Sequence, residues 1–146
     1  MPGPLDDRLV TTFGRLIEAY SRLEQRLGPA MEADTGLPLT WFEVLIRLAR
    51  SPERQLTMGA LAEEIALTTG GVTRLVDRME KAGYVERLPC PGDRRVSYAA
   101  ITSTGREILD RAAAQHAREL GAAFADFTEQ DLDALDGLLD RLRARG

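Results

Sequence analysis

The sequence predicts a mainly α-helical fold that carries one small β-hairpin, and three observations point to it. Apolar residues recur at three- and four-residue steps near both ends of the chain, a spacing typical of amphipathic helices. Three shorter segments with similar spacing lie between those ends, and two β-type segments, Tyr84–Leu88 and Val96–Ile101, follow them. The predicted order is therefore a long helix, three short helices, a β-hairpin, a long helix and a final helix.

The first helix is predicted from Leu5 to about Leu27. Gly28-Pro29 is expected to end or kink it, because proline lacks an amide donor and its ring clashes with the preceding turn. The predicted apolar face consists of Leu9, Phe13, Leu16, Ile17, Tyr20, Leu23 and Leu27.

Threonine caps are predicted for the helices in the middle of the chain. Thr40 and Glu43 have the spacing of a capping box, in which the threonine caps a helix over about 41–50 and the glutamate reaches back. Thr57 is placed to cap a short helix over 58–65. Such caps satisfy amide groups that the first turn of a helix leaves without partners.

The fourth helix is predicted from about residue 69 to Ala82. Thr68 or Thr69 is its expected cap, and Gly83 is placed as the glycine that ends it. Its apolar face, which we assign to the core, consists of Val72, Leu75, Val76 and Met79.

Residues 89–95, Pro-Cys-Pro-Gly-Asp-Arg-Arg, separate the two β-type segments. Proline and glycine there predict a loop rather than a tight two-residue hairpin. A long alanine-rich helix is then predicted from Thr102 to Phe127. The segment from Thr128 to Asp131 is expected to cap a last helix.

This pattern divides the chain into two regions. Residues 38–102 predict a compact lobe, while residues 1–37 and 103–146 predict long helices that have only each other or a second copy to pack on. A monomer would leave their apolar faces in water, so we assign these helices to dimerisation. The candidate interface residues are Leu9, Phe13, Leu132, Leu135, Leu139 and Leu142.

The charge of the chain is unevenly distributed. The net charge is −4, but segment 68–95 carries six basic and four acidic residues, a local charge of +2 against −6 elsewhere. An acidic body with one basic segment limits indiscriminate DNA binding while it leaves a defined place for phosphate.

The composition also bears on location. No apolar run approaches the roughly 20 residues that a membrane-spanning helix needs, and the first residues lack the regions of a secretory signal. Cys90 is the one cysteine. It has no partner for an internal disulfide, so a reducing cytoplasm is the expected location. Thiol reactivity needs an environment that a sequence does not show, and Cys90 is interpreted as a bystander.

The helices at 58–65 and 69–82 have the arrangement of a helix-turn-helix. A major groove about 12 Å wide admits a helix end whose residues are small or hydrogen-bonding. Two glycines in the first turn cost up to about 1 kcal/mol each relative to alanine, which indicates close approach by another backbone. The polar face of the second helix comprises Thr69, Gly70, Gly71, Thr73, Arg74, Asp77 and Arg78. Taken alone, its charges fit a solvated face equally well.

A resemblance to a known family lies in residues 60–105. The sequence there is ALAEEIALTTGGVTRLVDRMEKAGYVERLPCPGDRRVSYAAITSTG, and it resembles the MarR-type regulators, above all in VTRLVDRMEKAGYVER and in the DRR that follows. The resemblance implies a winged helix-turn-helix lobe and a homodimer that binds an inverted-repeat operator in double-stranded DNA, with no cofactor. In that family the helix corresponding to 69–82 enters the major groove. Asp93 is then expected to support the wing and orient Arg95, while Arg94 or Arg95 reaches the minor groove.

The same resemblance implies a binding crevice for a small aromatic or amphipathic effector, and we hypothesise a repressor that this effector releases, although the sequence does not distinguish a repressor from an activator. The crevice is expected where the dimer helices meet the DNA-binding lobe. Tyr20, Trp41 and Phe42 are the candidate lining residues, and a role as plain core residues accounts for them equally well.

Other classes of function fit less well. His116 is the one histidine and is interpreted as a surface residue, so neither a metal site nor a Ser-His-Asp set is expected, and catalysis is not predicted. A helical ligand-binding or scaffolding protein without DNA-binding activity is the alternative. It would explain the long helices, but it would not explain Arg94 and Arg95 in a loop.

Overall fold

The computed structural model describes residues 1, 3–65 and 69–145 of the chain, and it confirms a mainly α-helical fold with a small antiparallel sheet. Short 3₁₀ turns at Pro4–Asp6 and Pro52–Arg54 precede α1 and β1. The helices and strands are α1 (Arg8–Thr35), α2 (Leu39–Arg50), β1 (Gln55–Thr57), α3 (Met58–Glu64), α4 (Thr69–Lys81), β2 (Val85–Cys90), β3 (Asp93–Ile101), α5 (Ser103–Ala123) and α6 (Glu129–Arg145).

Helix α1 continues through Pro29, so the predicted end at Gly28-Pro29 is wrong. A proline inside a helix costs about 3 kcal/mol. Leu27 and Met31 flank it and are buried, and full burial of such side chains contributes about 1.5–3 kcal/mol each. This packing offsets the lost hydrogen bond. The helix ends at Thr35, where Gly36 adopts the left-handed conformation with φ 77°.

Helix α2 begins without a side-chain cap, so the predicted capping box of Thr40 and Glu43 is wrong. The helix starts at Leu39, which places Thr40 inside the first turn. Pro38 is the N-cap instead, and its carbonyl accepts hydrogen bonds from the amides of Trp41 and Phe42 at 3.0 and 3.1 Å.

The caps of α3 and the end of α4 follow the predictions. Thr57 Oγ1 accepts a hydrogen bond from the Ala60 amide at 3.1 Å. Gly83 has φ 84°, and the amides of Gly83 and Tyr84 donate back to Glu80 and Met79, which closes α4 in a Schellman motif. Thr69 is the first residue of α4, and its side chain and Thr68 lie outside the described residues.

The sheet has three antiparallel strands in the order β1-β3-β2. Strand β1, only three residues long, was not predicted. The predicted loop at 89–95 is also wrong, because Cys90 pairs with Asp93 and leaves Pro91-Gly92 as a two-residue turn. Proline favours the first turn position and glycine tolerates the positive φ, here 98°, of the second. A register shift after Pro89 accompanies the turn. We call the β2–β3 hairpin the wing.

Helix α5 begins as predicted, with Thr102 as its N-cap, but it ends at Ala123 rather than Phe127. The rings of Phe124 and Phe127 pack edge to face across the connection to α6, 5.1 Å apart. Thr128 Oγ1 accepts from the Asp131 amide at 3.0 Å, and Asp131 accepts from the Thr128 amide at 2.9 Å, as predicted.

The core lies where α2, α3, α4, α5 and the sheet meet. It contains the apolar face of α4, as predicted, together with Phe42, Val44, Leu45, Leu48, Leu61, Val85, Ala99, Ile108, Leu109 and Ala112. Helix α6 has no buried residue. Across the described residues, no helix is both long and apolar enough to cross a membrane.

Candidate nucleic-acid interface

The first half of α4 presents a polar surface opposite its buried stripe. Thr73, Arg74 and Arg78 are exposed, whereas Val72 and Val76 are fully buried. The separation follows from helical geometry, because residues three and four apart share a face. Gly71 lies in the same first turn and is half-buried.

Gly70 is exposed, and its packing against the described residues does not require a glycine. Among those residues, a Cβ added at this position would meet only Arg74 Nη1, at 3.6 Å, which is an ordinary van der Waals contact. Its φ is not positive either. Glycine is less favourable than alanine inside a helix, and no described neighbour of Gly70 requires a glycine. Close approach by a molecule outside the protein is therefore a reason for a glycine at this position.

The wing presents two arginines. Arg94 and Arg95 are exposed, the Arg95 side chain to 91%. Asp93 Oδ1 accepts hydrogen bonds from the Arg95 amide at 3.0 Å and from Arg95 Nε at 3.3 Å. This contact is the one that the predicted supporting role of Asp93 requires.

Arg87 on β2 is a residue that the sequence argument did not place in the site. Its guanidinium bridges to Asp77 on α4, with Nη1 2.6 Å from Oδ1. The available signal was strand alternation, which puts Arg87 on the same face as Val85, the face that packs on α4.

A tight joint connects the end of α4 to the start of α5. Thr102 Oγ1 donates to the Gly83 carbonyl at 2.6 Å, and the Thr102 amide donates to the Tyr84 carbonyl at 3.1 Å. A Cβ at Gly105 would overlap the Tyr84 carbonyl. Only glycine fits there without a shift of the backbone.

The three candidate effector residues occupy different settings. Phe42 is buried in the core, and its ring lies 5.0 Å from that of His116. Trp41 is half-buried and packs edge-on against Tyr84. Tyr20 is exposed; its hydroxyl donates to Glu24 at 2.8 Å, and this bond, with burial and nearby carboxylates, raises its pKa to about 12.

Tyr20 also lines a groove of about 790 Å³ between α1, α2 and α6. The groove is lined further by Arg47, Asp136, Leu139, Asp140, Leu142 and Arg143. It combines apolar side chains with charges of both signs. Trp41 and Phe42 do not belong to this lining.

His116 is not the surface residue that the sequence suggested. It lies on α5 against Phe42, and burial lowers its pKa. Its Nδ1 is buried and makes no hydrogen bond with the described residues.

Cys90 is half-buried, with its Sγ 3.7 Å from the Pro91 carbonyl oxygen. Within residues 1, 3–65 and 69–145, no three histidine, cysteine or carboxylate side chains are grouped to hold a metal ion.

The candidate dimerisation residues remain largely exposed. Leu9, Phe13, Leu139 and Leu142 are exposed to 76, 62, 42 and 60%. Leu132 and Leu135 are half-buried. Their assignment to a dimer interface stays a prediction.

Helices α3 and α4, followed by a wing with exposed arginines, have the arrangement of a winged-helix DNA-binding protein. The MarR family model matches residues 35–96. The HTH-type transcriptional regulator MhqR of Bacillus subtilis is 30% identical over 138 residues, which cover 94% of this chain and 93% of that protein. The chain belongs to the MarR family of DNA-binding transcriptional regulators.

Solved structures of relatives agree with this assignment. Sco3205, a MarR family regulator from Streptomyces coelicolor solved in complex with DNA, superposes with a TM-score of 0.84 at 32% identity, covering 99% of this chain and 91% of that one. AbsC from the same organism gives 0.80 at 26% identity, with 92% and 91% covered. These relatives are transcriptional regulators, which points to a protein that is not an enzyme.

Proposed function

We propose that the protein is a homodimeric repressor that binds an inverted-repeat DNA operator and is released by a small aromatic or amphipathic effector. The observation that carries the proposal is the combination, in one lobe, of an exposed polar end of α4 with a wing that presents Arg94 and Arg95. The similarity to Sco3205, which was solved in complex with DNA, supports it. The proposed place of action is the cytoplasm, where a regulator of chromosomal genes reaches its operator.

In this proposal the two exposed surfaces read different grooves. Helix α4 enters the major groove, where Arg74 can pair with the edge of a guanine and Thr73 can bond a base or phosphate. Gly70 allows the DNA to approach the helix closely. The wing arginines reach the adjacent minor groove, whose negative potential attracts guanidinium groups, with Asp93 orienting Arg95. The full proposed set is Thr69, Gly70, Gly71, Thr73, Arg74, Arg78, Arg94 and Arg95, with Asp93 in support.

The dimer follows from the apolar faces of α1 and α6. Contact between two copies through Leu9, Phe13, Leu132, Leu135, Leu139 and Leu142 would remove this apolar surface from water, at roughly 25 cal/mol per Å². Two copies related by a two-fold axis present their α4 helices to half-sites about 34–36 Å apart. An inverted-repeat operator matches that symmetry.

Release requires that an effector bind the two forms of the dimer unequally. A shift from mostly bound to mostly released needs a difference of about 5 kcal/mol between its affinities for the two forms. Tyr20, Trp41 and Phe42 remain the proposed effector residues. Of these, Tyr20 lines the groove between the terminal helices and α2, where a ligand could alter the spacing of the two lobes.

The test is binding to the DNA upstream of the protein's own gene, measured at several salt concentrations beside a random duplex of equal length. Nanomolar binding with a steep salt slope and at least a thousandfold preference over random DNA is expected. Equal affinity for both duplexes would instead favour a helical ligand-binding or scaffolding protein. A footprint on the operator that no candidate ligand alters would remove the effector part alone.

A further inference from the structure

We propose that Arg87 is a positioning residue for DNA binding, because it holds the wing at a fixed angle to α4. The inference rests on the proposed DNA contacts of α4 and the wing. In this inference α4 and the wing bind DNA as one unit. The Arg87 side chain fixes the distance between them, so that the helix and the wing enter successive grooves at the same time.

The local sequence places Arg87 between the two surfaces. Side chains alternate along β2, so Val85 and Arg87 point to the same face. Val85, at the start of the strand, packs in the core, whereas Arg87 lies farther out. On α4, Thr73, Asp77 and Glu80 follow one another at steps of four and three residues, which makes a polar stripe along the helix.

Arg87 makes hydrogen bonds along the length of this stripe. Its Nη1 lies 2.6 Å from Asp77 Oδ1, and its Nη2 donates to the Thr73 carbonyl at 3.3 Å. Its backbone amide donates to Glu80 Oε2 at 3.1 Å. Arg87 therefore contacts two turns of α4, and both terminal nitrogens of its guanidinium bond to the helix.

The setting of this ion pair differs from that of the Arg106–Asp110 pair. The Arg87 side chain is 30% exposed, whereas that of Arg106, which pairs with Asp110 within α5, is 47% exposed. Arg106 and Asp110 belong to one helix, so their pair fixes no angle between elements. Arg87 and Asp77 belong to different elements, and a planar guanidinium with two committed ends restricts orientation in a way that lysine does not.

The pair also affects the charge that α4 presents to DNA. Asp77 and Glu80 lie on the helix that we place in the major groove, where free carboxylates repel phosphate. Arg87 pairs with the first and bonds the second through its amide. Replacing Arg87 removes the bridge that positions the wing and leaves the Asp77 carboxylate unpaired, whereas the backbone amide of residue 87 still donates to Glu80. The variants below separate positioning from charge.

The first experiment compares Arg87→Gln with Arg106→Gln, which removes the same charge from an ion pair inside one helix. Operator affinity, random-duplex affinity and salt slope are measured for each. We expect Arg87→Gln to weaken operator binding about tenfold, equivalent to about 1.4 kcal/mol, and to weaken random-duplex binding much less, with a salt slope equal to that of Arg106→Gln. An Arg87 that contacts phosphate directly would lower the slope by about one and weaken both duplexes equally, which would overturn the proposal. Equal operator affinities in the two variants would also overturn it.

The second experiment exchanges the partners. Asp77→Arg and Arg87→Asp are each expected to weaken operator binding, and the double variant is expected to recover most of it, because the bridge is rebuilt in reverse. Asp77→Asn tests the charge: if repulsion by Asp77 were the whole effect of losing Arg87, adding Asp77→Asn to Arg87→Gln would restore affinity, and the positioning role would be excluded.

Folding is followed in parallel by thermal denaturation. Should Arg87→Gln not fold, Arg87→Lys takes its place, since it keeps the charge but loses the two-ended contact; wild-type affinity in that folded variant would contradict the proposal. A wild-type protein that does not distinguish operator from random DNA would mean that the proposed function fails, not this inference.

Discussion

The DNA-binding lobe and the terminal helices share the same amphipathic spacing, but the lobe buries its apolar faces and the terminal helices expose most of theirs. In the lobe the chain covers its own apolar residues: Val44, Leu45 and Leu48 on α2 are fully buried. On α6 and on the first half of α1, up to Tyr20, the equivalent faces stay in water, with Phe13 exposed to 62% and Leu142 to 60%. The difference teaches that periodicity identifies an apolar face, while the tertiary structure decides whether that face is a core or a contact surface.

The largest effect is expected from Leu45→Ala in the lobe. Removal of a fully buried leucine leaves a cavity and costs about 2–5 kcal/mol of the free energy of unfolding. Chemical denaturation measures it. Leu16→Ala on exposed α1 is the control within the terminal helices, and an equal loss there at high dilution would erase the contrast between the two regions.

Phe13→Glu tests the exposed apolar face of α1, which we propose as a dimer interface. A carboxylate in the proposed interface favours separate chains, so we expect a monomer by sedimentation and weak operator binding, while the lobe keeps its far-UV circular dichroism. Glu18→Gln, on an exposed side of α1, is expected to leave assembly unchanged. A Phe13→Glu protein that still sediments as a dimer would move the interface elsewhere.

Arg74→Ala tests direct readout by α4. It is expected to relax base preference at one operator position by about 1–3 kcal/mol, measured by binding to single-base operator variants. Arg95→Ala, on the wing, should instead weaken binding without altering the preference at that position. An identical loss against every operator variant would assign Arg74 to phosphate.

Gly70→Ala separates stability from binding. Alanine fits the available space, so the free energy of unfolding should stay equal or rise by up to about 1 kcal/mol. Operator affinity should fall, because the added methyl group meets the approaching DNA. Gly59→Ala on α3, where a Cβ also has open space, is the control. Unchanged operator binding would remove Gly70 from the interface.

The smallest effect concerns pH. Burial lowers the pKa of His116 in the folded protein. The unfolded chain therefore binds the proton more readily, and stability from this group is complete above pH 6.5 and declines as the pH falls through the lower, folded pKa. Denaturation from pH 7.5 to 5.5 should show a steeper decline for the wild type than for His116→Gln. Parallel curves would contradict this.

Features that depend on a few neighbouring residues were predicted well. The cap at Thr57, the glycine stop at Gly83 and the buried stripe of α4 are local consequences of backbone chemistry. Helix α1 passes Pro29 because tertiary packing around Leu27 and Met31 outweighs a local penalty. A local sequence pattern does not include the energy of this tertiary packing.

The site was predictable in part for the same reason. Arg94 and Arg95 are exposed as expected, but they lie on strand β3 rather than in a loop, whereas the exposed residues of α4 follow from helical spacing. The three-residue strand β1 exists only through its pairing with β3, and the Arg87–Asp77 bridge joins residues of separate elements. The burial of His116 likewise depends on Phe42 from another helix. A one-dimensional pattern does not record these partners.

The joint at Gly105 and Thr102 has a consequence for hybrid regulators. Because the start of α5 is pressed on the Tyr84 carbonyl and bonded to Gly83, the lobe and α5 meet without an adjustable linker. A chimera that grafts this DNA-reading lobe onto foreign dimer helices must therefore carry residues 83–105 as one block. A fusion point placed after about residue 112 keeps that block whole, whereas one at residue 102 divides it.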